Sequence, residues 1–179
     1  MRKLANAELN RKTTGEYKKA PKIPVVVVLD NIRSMHNIGS VFRTCDAFLI
    51  ETLYLCGITA TPPHREINKT ALGATESVQW LYYENTLELV KMLKADGYTL
   101  CAVEQTDSSV MLQNFTPSAM LKYAVIFGHE IHGVDQQVVD VCDLSIEIPQ
   151  LGTKHSLNIA VCAGIVLWEF FRANAEKLR

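Results

Sequence analysis

No stretch of this 179-residue chain approaches the roughly 20 consecutive apolar residues that a spanning helix needs. The longest, Ile159–Trp168, is ten residues and stops at Glu169. Met1-Arg2-Lys3 leads straight into polar residues, so no secretory core is expected. The five cysteines (Cys45, Cys56, Cys101, Cys142, Cys162) form no CxxC pair, which excludes a zinc framework. Their odd number, without a signal peptide, reads as reduced, buried thiols of a cytoplasmic protein. Internal repeats and low-complexity tracts are absent. So are the GxxxxGK[ST] and GxGxxG phosphate loops, the GxSxG elbow, an HExxH and any local Cys/His nucleophile signature. These absences leave nucleotide hydrolysis, dinucleotide redox chemistry, serine hydrolysis and zinc proteolysis without support.

What is present is the composition of one globular domain, 48% hydrophobic and 21% charged. The net charge of −1 conceals an asymmetry. Residues 1–22 hold seven Lys and Arg against Glu8 and Glu16, a net +5, and the remainder is −6. A basic arm over 1–22 before an acidic domain over 23–179 points either to a polyanionic partner or to a solvated tail.

The uninterrupted β-branched run Val25–Leu29 predicts a strand covered on both faces, as in parallel sheets. Shorter runs predict strands at Thr52–Cys56, Val78–Tyr82, Thr99–Val103, Tyr123–Phe127 and Leu144–Ile148. Helical patterns lie between several of them, at Ile38–Phe48, Leu87–Ala95 and Asp135–Val141. The alternation predicts an α/β fold with a mainly parallel sheet flanked by helices. The polar stretch Thr106–Ser118 reads as a mobile flap near a site. A last helix, Leu157 to about Leu178 with Ser156 as its N-cap, is apolar nearly all round in its first half. Such a helix needs cover on more than one side, and a homodimer through it is expected.

Three strand-to-helix junctions carry more polar and glycine residues than plain connectors need. Asp30–Thr44 contains Asn37, a candidate helix cap, and Arg43, nearly two turns further on. Val125–Asp135 ends its strand in Gly128, where a ligand can approach bare backbone, and continues through Glu130 to Gly133. His129 and His132 are better read as loop histidines than as metal ligands, since a third ligand is missing. Ile146–Asn158 passes through a Pro/Gly turn to a helix start, where free amides can meet an adenine edge or a carboxylate. Each junction alone reads equally as a capped turn. Their repetition is informative, because three such junctions of one parallel sheet gather at one edge.

Together these segments resemble the SpoU/TrmH family of RNA ribose 2′-O-methyltransferases in the SPOUT superfamily. The N-x-G-x-x-x-R stretch is Asn37, Gly39 and Arg43; the glycine-x-glutamate stretch is Gly128 and Glu130. The I-P-x-x-G…S-L-N stretch is Ile148, Pro149, Gly152, Ser156, Leu157 and Asn158. Asn68–Ala74 is similar to a further family segment, whereas Ile131 and His132 replace residues that are smaller or more polar in many members. The resemblance implies a C-terminal deep trefoil knot and a homodimer. It also implies S-adenosylmethionine held by the loops at Glu104, Gly128 and Ile148–Leu157, with Ser156 and Leu157 among the cofactor contacts. Arg43 would then be the central catalytic residue, with Asn37, Glu130, Ser156 and Asn158 shaping its pocket, and no metal. With only a basic arm before the domain, tRNA is favoured over ribosomal RNA as substrate. The rivals are base methylation and a non-catalytic RNA-binding factor on the same fold.

Overall fold

The computed structural model of the chain describes residues 1–178; Arg179, the end of the expected domain, lies outside them. Seven strands are formed: β1 (Ile23–Asp30), β2 (Ile50–Cys56), β3 (Trp80–Tyr83), β4 (Tyr98–Val103), β5 (Val110–Met111), β6 (Lys122–Phe127) and β7 (Leu144–Glu147). The helices are α1 (Thr14–Lys19), α2 (Met35–Ala47), α3 (Arg65–Ala71), α4 (Ala74–Ser77), α5 (Thr86–Ala95), α6 (Gln136–Val141) and α7 (Ile159–Asn174). The sheet runs β3-β2-β1-β6-β4-β7-β5, and every neighbouring pair is parallel.

β1 organises this sheet because both of its faces are buried. Val25, Val27 and Leu29 point into one core with α2 and α7, whereas Val26 and Val28 point into a second core with α5 and α6. A strand enclosed this way needs no polar alternation. β2 and β3 extend the sheet on one side of β1, while β6, β4, β7 and β5 extend it on the other. The order of the chain therefore reverses at β1, and a crevice opens beyond the strand ends there.

Several sequence expectations need correction. Asn37 is not the cap of α2: Ser34 is, its hydroxyl accepting the Asn37 amide at 3.3 Å. Likewise Ser156 does not cap the last helix; Asn158 does, its side-chain oxygen accepting the Ala160 amide at 2.9 Å. That helix starts two residues later than expected and ends at Asn174, followed by a 3-10 turn over Ala175–Leu178. Val78 closes α4 instead of opening a strand. Thr106–Ser118 is pinned down and is no free flap: it contains β5, a 3-10 turn at Leu112–Asn114, and Phe115 packed edge-on against Tyr123 and beside Phe170.

The basic arm also contains structure. Thr13 and Glu16 form a reciprocal capping box that starts α1. Tyr17 on α1 is only 5% exposed, and its hydroxyl donates to the Cys45 carbonyl of α2 at 3.3 Å. All five cysteines are free thiols, and burial pushes those of Cys56 up to about 12 and of Cys142 and Cys162 up to about 11. On α7, Val161, Ile165 and Trp168 keep 53%, 40% and 47% of their surface exposed. No helix among the described residues is long and apolar enough to cross a membrane.

Gly39 sets the distance between α2 and α3, since a Cβ there would run into the Ile67 carbonyl and the Thr70 hydroxyl. Gly39→Ala gains about 1 kcal/mol of helix propensity, but it forces backbone against backbone, an overpacking penalty of about 1–3 kcal/mol. The clash should win, lowering the midpoint of urea unfolding. A midpoint equal to or above wild type would contradict this close packing.

Candidate functional site

The C-terminal ends of β4, β6 and β7 open into one cavity of about 490 Å³. Its wall includes Glu104, Gly128, Ile148, Ser156 and Leu157, the five residues expected around a cofactor. Glu130 and Asn158 also reach it, together with Cys162 on α7. A cavity this size falls in the range of about 300–1,000 Å³ usual for small-molecule sites.

The carboxylate of Glu130 holds the site together. It accepts the backbone amides of Arg33 at 3.1 Å and Ser34 at 3.0 Å, and the side-chain amide of Asn37 at 3.2 Å. Asn37 in turn accepts a hydrogen bond from Asn158 at 3.1 Å. A continuous chain of polar contacts thus joins the loop after β6, the start of α2 and the N-cap of α7. Burial pushes the Glu130 carboxyl up, but the Arg33 and Ser34 amides and the Asn37 side chain outweigh it and hold the group below its ordinary value. The carboxylate form is therefore the one the folded site prefers.

The other walls are braced in the same way. Glu104 accepts the Val134 amide and the Gln105 amide, both at 2.9 Å. Gln105 donates from its side chain to the His155 carbonyl at 3.0 Å, tying the loop after β4 to the loop after β7. Gly128, on the cavity wall, is also required by its own loop: a Cβ there would collide with the backbone of Gly133 and Val134, where that loop folds back. Gly133 sits at φ +69°, where its α-carbon packs against the Glu104 carboxylate.

Two expected residues stand outside this network. Ser156 is exposed on the loop, and its side chain forms no hydrogen bond among the described residues. Arg43 is exposed on α2, outside the cavity wall, six residues beyond Asn37 and so about 9 Å along the helix axis. Among the described residues its guanidinium forms no ion pair. Sequence reading also missed Ser34, Gln105 and Asp30. Asp30, 2% exposed at the end of β1, accepts the Thr86 hydroxyl at 2.5 Å and the Asn31 side chain at 2.8 Å. A lone carboxylate closing a valine run was the available signal for it.

Residues 149–157 form no backbone–backbone hydrogen bond among the described residues. Main-chain donors and acceptors are normally paired, so a run of free ones beside a cavity is a feature a ligand can use. The raised Cys162 thiol excludes a thiolate nucleophile from the cavity at neutral pH. His129 and His132 lie with ring centres 4.8 Å apart, and among the described residues no group of three ligands could hold a metal ion.

The chain matches the SpoU rRNA Methylase family over residues 24–168 and belongs to that family. A tRNA (guanosine(18)-2'-O)-methyltransferase of Aquifex aeolicus is 33% identical over 158 residues, covering 86% of this chain and 71% of that one. The solved A. aeolicus TrmH/SpoU tRNA modifying enzyme superposes with a TM-score of 0.79 at 27% identity, over 90% of this chain and 80% of that one. An AdoMet-bound rRNA methyltransferase from Sinorhizobium meliloti superposes with a TM-score of 0.76 at 25% identity, over 86% and 60%. A Staphylococcus saprophyticus protein assigned by name to the TrmH family of tRNA/rRNA methyltransferases is 27% identical over 88% of this chain, which spans only 62% of that relative's length.

Glu130→Ala would leave three donors facing each other without an acceptor. Hydrogen bonds to a charged group contribute about 1.5–3 kcal/mol each at most, less for one partly exposed, so a net loss of about 1–2 kcal/mol is expected by urea unfolding at pH 7. Because the carboxyl is depressed in the folded state, its contribution is present above the unfolded value near 4.5 and fades as pH falls through the lower folded value. The stability difference between variant and wild type should therefore shrink below about pH 4. A difference independent of pH would show that the charge is not what the loop recognises.

Proposed function

We propose that the protein transfers a methyl group from S-adenosylmethionine to a ribose 2′-hydroxyl of RNA, with tRNA preferred over ribosomal RNA. The observation that carries this reading is the convergence of the loops after β4, β6 and β7 on one cavity, with the main chain of 149–157 beside it making no backbone–backbone hydrogen bond among the described residues. Unpaired amides and carbonyls suit an adenine edge, and the apolar surfaces of Ile148 and Leu157 suit its faces. Relatives support the rest: one is named for 2'-O-methylation of a tRNA guanosine, and another was solved with AdoMet bound.

When bound, S-adenosylmethionine supplies an electrophilic methyl group on its sulfonium. The chain's own task is to hold a 2′-oxygen in line with that bond, a restriction that can contribute several kcal/mol to the barrier reduction. Glu130, Asn37 and Asn158 keep the two loops and the α7 terminus in fixed relation. We assign Arg43 to the RNA phosphate and the 2′-hydroxyl. A guanidinium carries only donors and no free lone pair, so it is unsuited to taking the proton itself. It is well suited to placing a phosphate and a hydroxyl together and to stabilising the developing alkoxide, while the proton leaves through phosphate or solvent. Arg11, Lys12, Lys18 and Lys19, exposed and without ion pairs among the described residues, are placed to meet the phosphate backbone further along.

Three further features belong to the proposal. The loop after β7 is threaded as a trefoil knot, a reading that rests on the family resemblance alone. The protein works in the cytoplasm, as its free thiols favour. It pairs as a homodimer through α7, whose Val161, Ile165 and Trp168 form an apolar face open to a second copy. Ile165→Glu would bury an unpaired charge in that interface and should yield monomers in sedimentation velocity. A wild type that sediments as a monomer would remove the dimer.

The decisive experiment is nucleoside mass spectrometry of tRNA and ribosomal RNA after incubation with the protein and labelled S-adenosylmethionine. Label on a 2′-O-methylribose of tRNA is the expected product; label on a base, or none, selects one of the rivals. Arg43→Ala should keep cofactor affinity near wild type by calorimetry and lose about 10²–10⁴-fold in methyl transfer. Near-normal turnover in that variant would take Arg43 out of the mechanism.

A further inference from the structure

We infer that His129 is a positioning residue: its neutral imidazole closes the turn that aims Glu130, so the site loses its shape when that imidazole is protonated. The consequence for ligand binding rests on the methyl-donor reading of the cavity, whereas the turn itself does not.

The turn is stitched at its base by two backbone hydrogen bonds of 2.9 Å, His129 N–H to the Gly133 carbonyl and Gly133 N–H to the His129 carbonyl. At its tip the amides of Ile131 and His132 both point back to Nδ1 of His129, at 3.0 and 3.3 Å. An imidazole nitrogen accepts only when it carries no proton, so the ring proton belongs on Nε2. Packing does not hold the tip in place, because Ile131 is 72% exposed and His132 is exposed as well. The His129 side chain is what holds it. Glu130 lies inside the same turn, and its carboxylate must reach Arg33, Ser34 and Asn37 across the crevice.

The charged and titratable groups around His129 leave the tip amides to it. On its own loop the His132 ring lies at 4.8 Å, tilted by 31°. The Glu130 carboxylate is turned away toward the start of α2. Across the cavity, Glu104 is held by the Val134 and Gln105 amides, and Glu147 accepts the Ser109 hydroxyl at 2.7 Å. His155 and Cys162 complete the titratable lining. None of these accepts the two tip amides in place of Nδ1. Adding a proton at Nδ1 sets one donor against two others, so the turn is intact while the ring is neutral and loosens once it is protonated.

The test compares wild type, His129→Asn and His129→Ala. An asparagine places a side-chain oxygen near the Nδ1 position, accepts amides two and three residues on, and does not titrate. Binding of S-adenosylmethionine by calorimetry should weaken about three- to tenfold in wild type on acidification, the loss of one or two net hydrogen bonds. His129→Asn should retain most of the high-pH affinity and lack the acid limb, and His129→Ala should be weak at every pH. An alanine variant equal to wild type at pH 8, or an asparagine variant with the wild-type acid limb, overturns the proposal. If wild type binds no S-adenosylmethionine at any pH, the reading of the cavity fails instead. The positioning role is then judged by amide exchange at Ile131 and His132, corrected for intrinsic rates. Exchange should accelerate on acidification in wild type and not in His129→Asn; unchanged protection in both overturns it.

Discussion

The carboxylate of Glu130 is the contact on which the site depends, because nothing else joins the loop after β6 to the loop after β1 so directly. β1 and β6 are adjacent in the sheet, and their backbones are fixed by the ladder up to Leu29 and Phe127. Beyond that register the chain leaves the sheet in both strands, and two loops with no common ladder must be held in relation by side chains. A carboxylate suits this role better than an amide or a hydroxyl, because it accepts three donors at once and does so as a charge. Asn37 then passes the constraint to Asn158, which is already committed to capping α7. The position of the last helix relative to the first junction follows from that sequence of contacts.

The fold was legible where burial left a simple record. Val25–Leu29 reads as a doubly covered strand because the sheet buries both faces, and the neighbouring strands carry shorter versions of the same signal. Some short elements were not legible, although β4, β6, β7 and α6 were. α3 and α4 are too short to show an amphipathic period, and such helices owe their stability to contacts that periodicity does not record. α1 left a readable trace in its Thr13–Glu16 capping box, but the surrounding lysines drew attention to charge instead. β5 consists of two residues whose only strand neighbour is β7. Its pairing depends on where that later strand lies, which no local pattern states.

The lining of the cavity was legible in part and its contacts much less so. Gly128, Glu130, Ile148 and Ser156–Asn158 meet at one cavity, whereas Arg43 lies outside its wall. Glu130 and Arg33 are 97 positions apart, and their contact has no local signature. Asn37 sits where a cap belongs but serves as a link, because Ser34 takes the capping position first. Gly128 shows the limit most directly. A glycine at a strand end suits an approaching ligand and a loop that doubles back on itself alike, and the Gly133–Val134 backbone beneath it adds the second demand, which no local pattern states.

A division of labour follows from these contacts. The acidic and amide side chains of the site, Glu104, Gln105, Glu130, Asn37 and Asn158, are bound to other parts of the protein. What they leave free, among the described residues, is the main chain over 149–157 apart from the His155 carbonyl, and exposed cations without an ion pair: Arg33, Lys154 and, further along α2, Arg43. Such an arrangement favours chemistry in which neither reactant needs a protein acid or base of matched pKa. Methyl transfer from a sulfonium to an oxygen has that character, since the leaving thioether needs no proton and the demand is on alignment and on the charge developing at oxygen. A cradle of unpaired backbone and an uncommitted guanidinium suit both demands. On the proposed reading the exposure of Arg43 has a physical reason: a polyanion too large to enter the cavity could reach it there, and its charge is available only if no carboxylate of the chain has taken it.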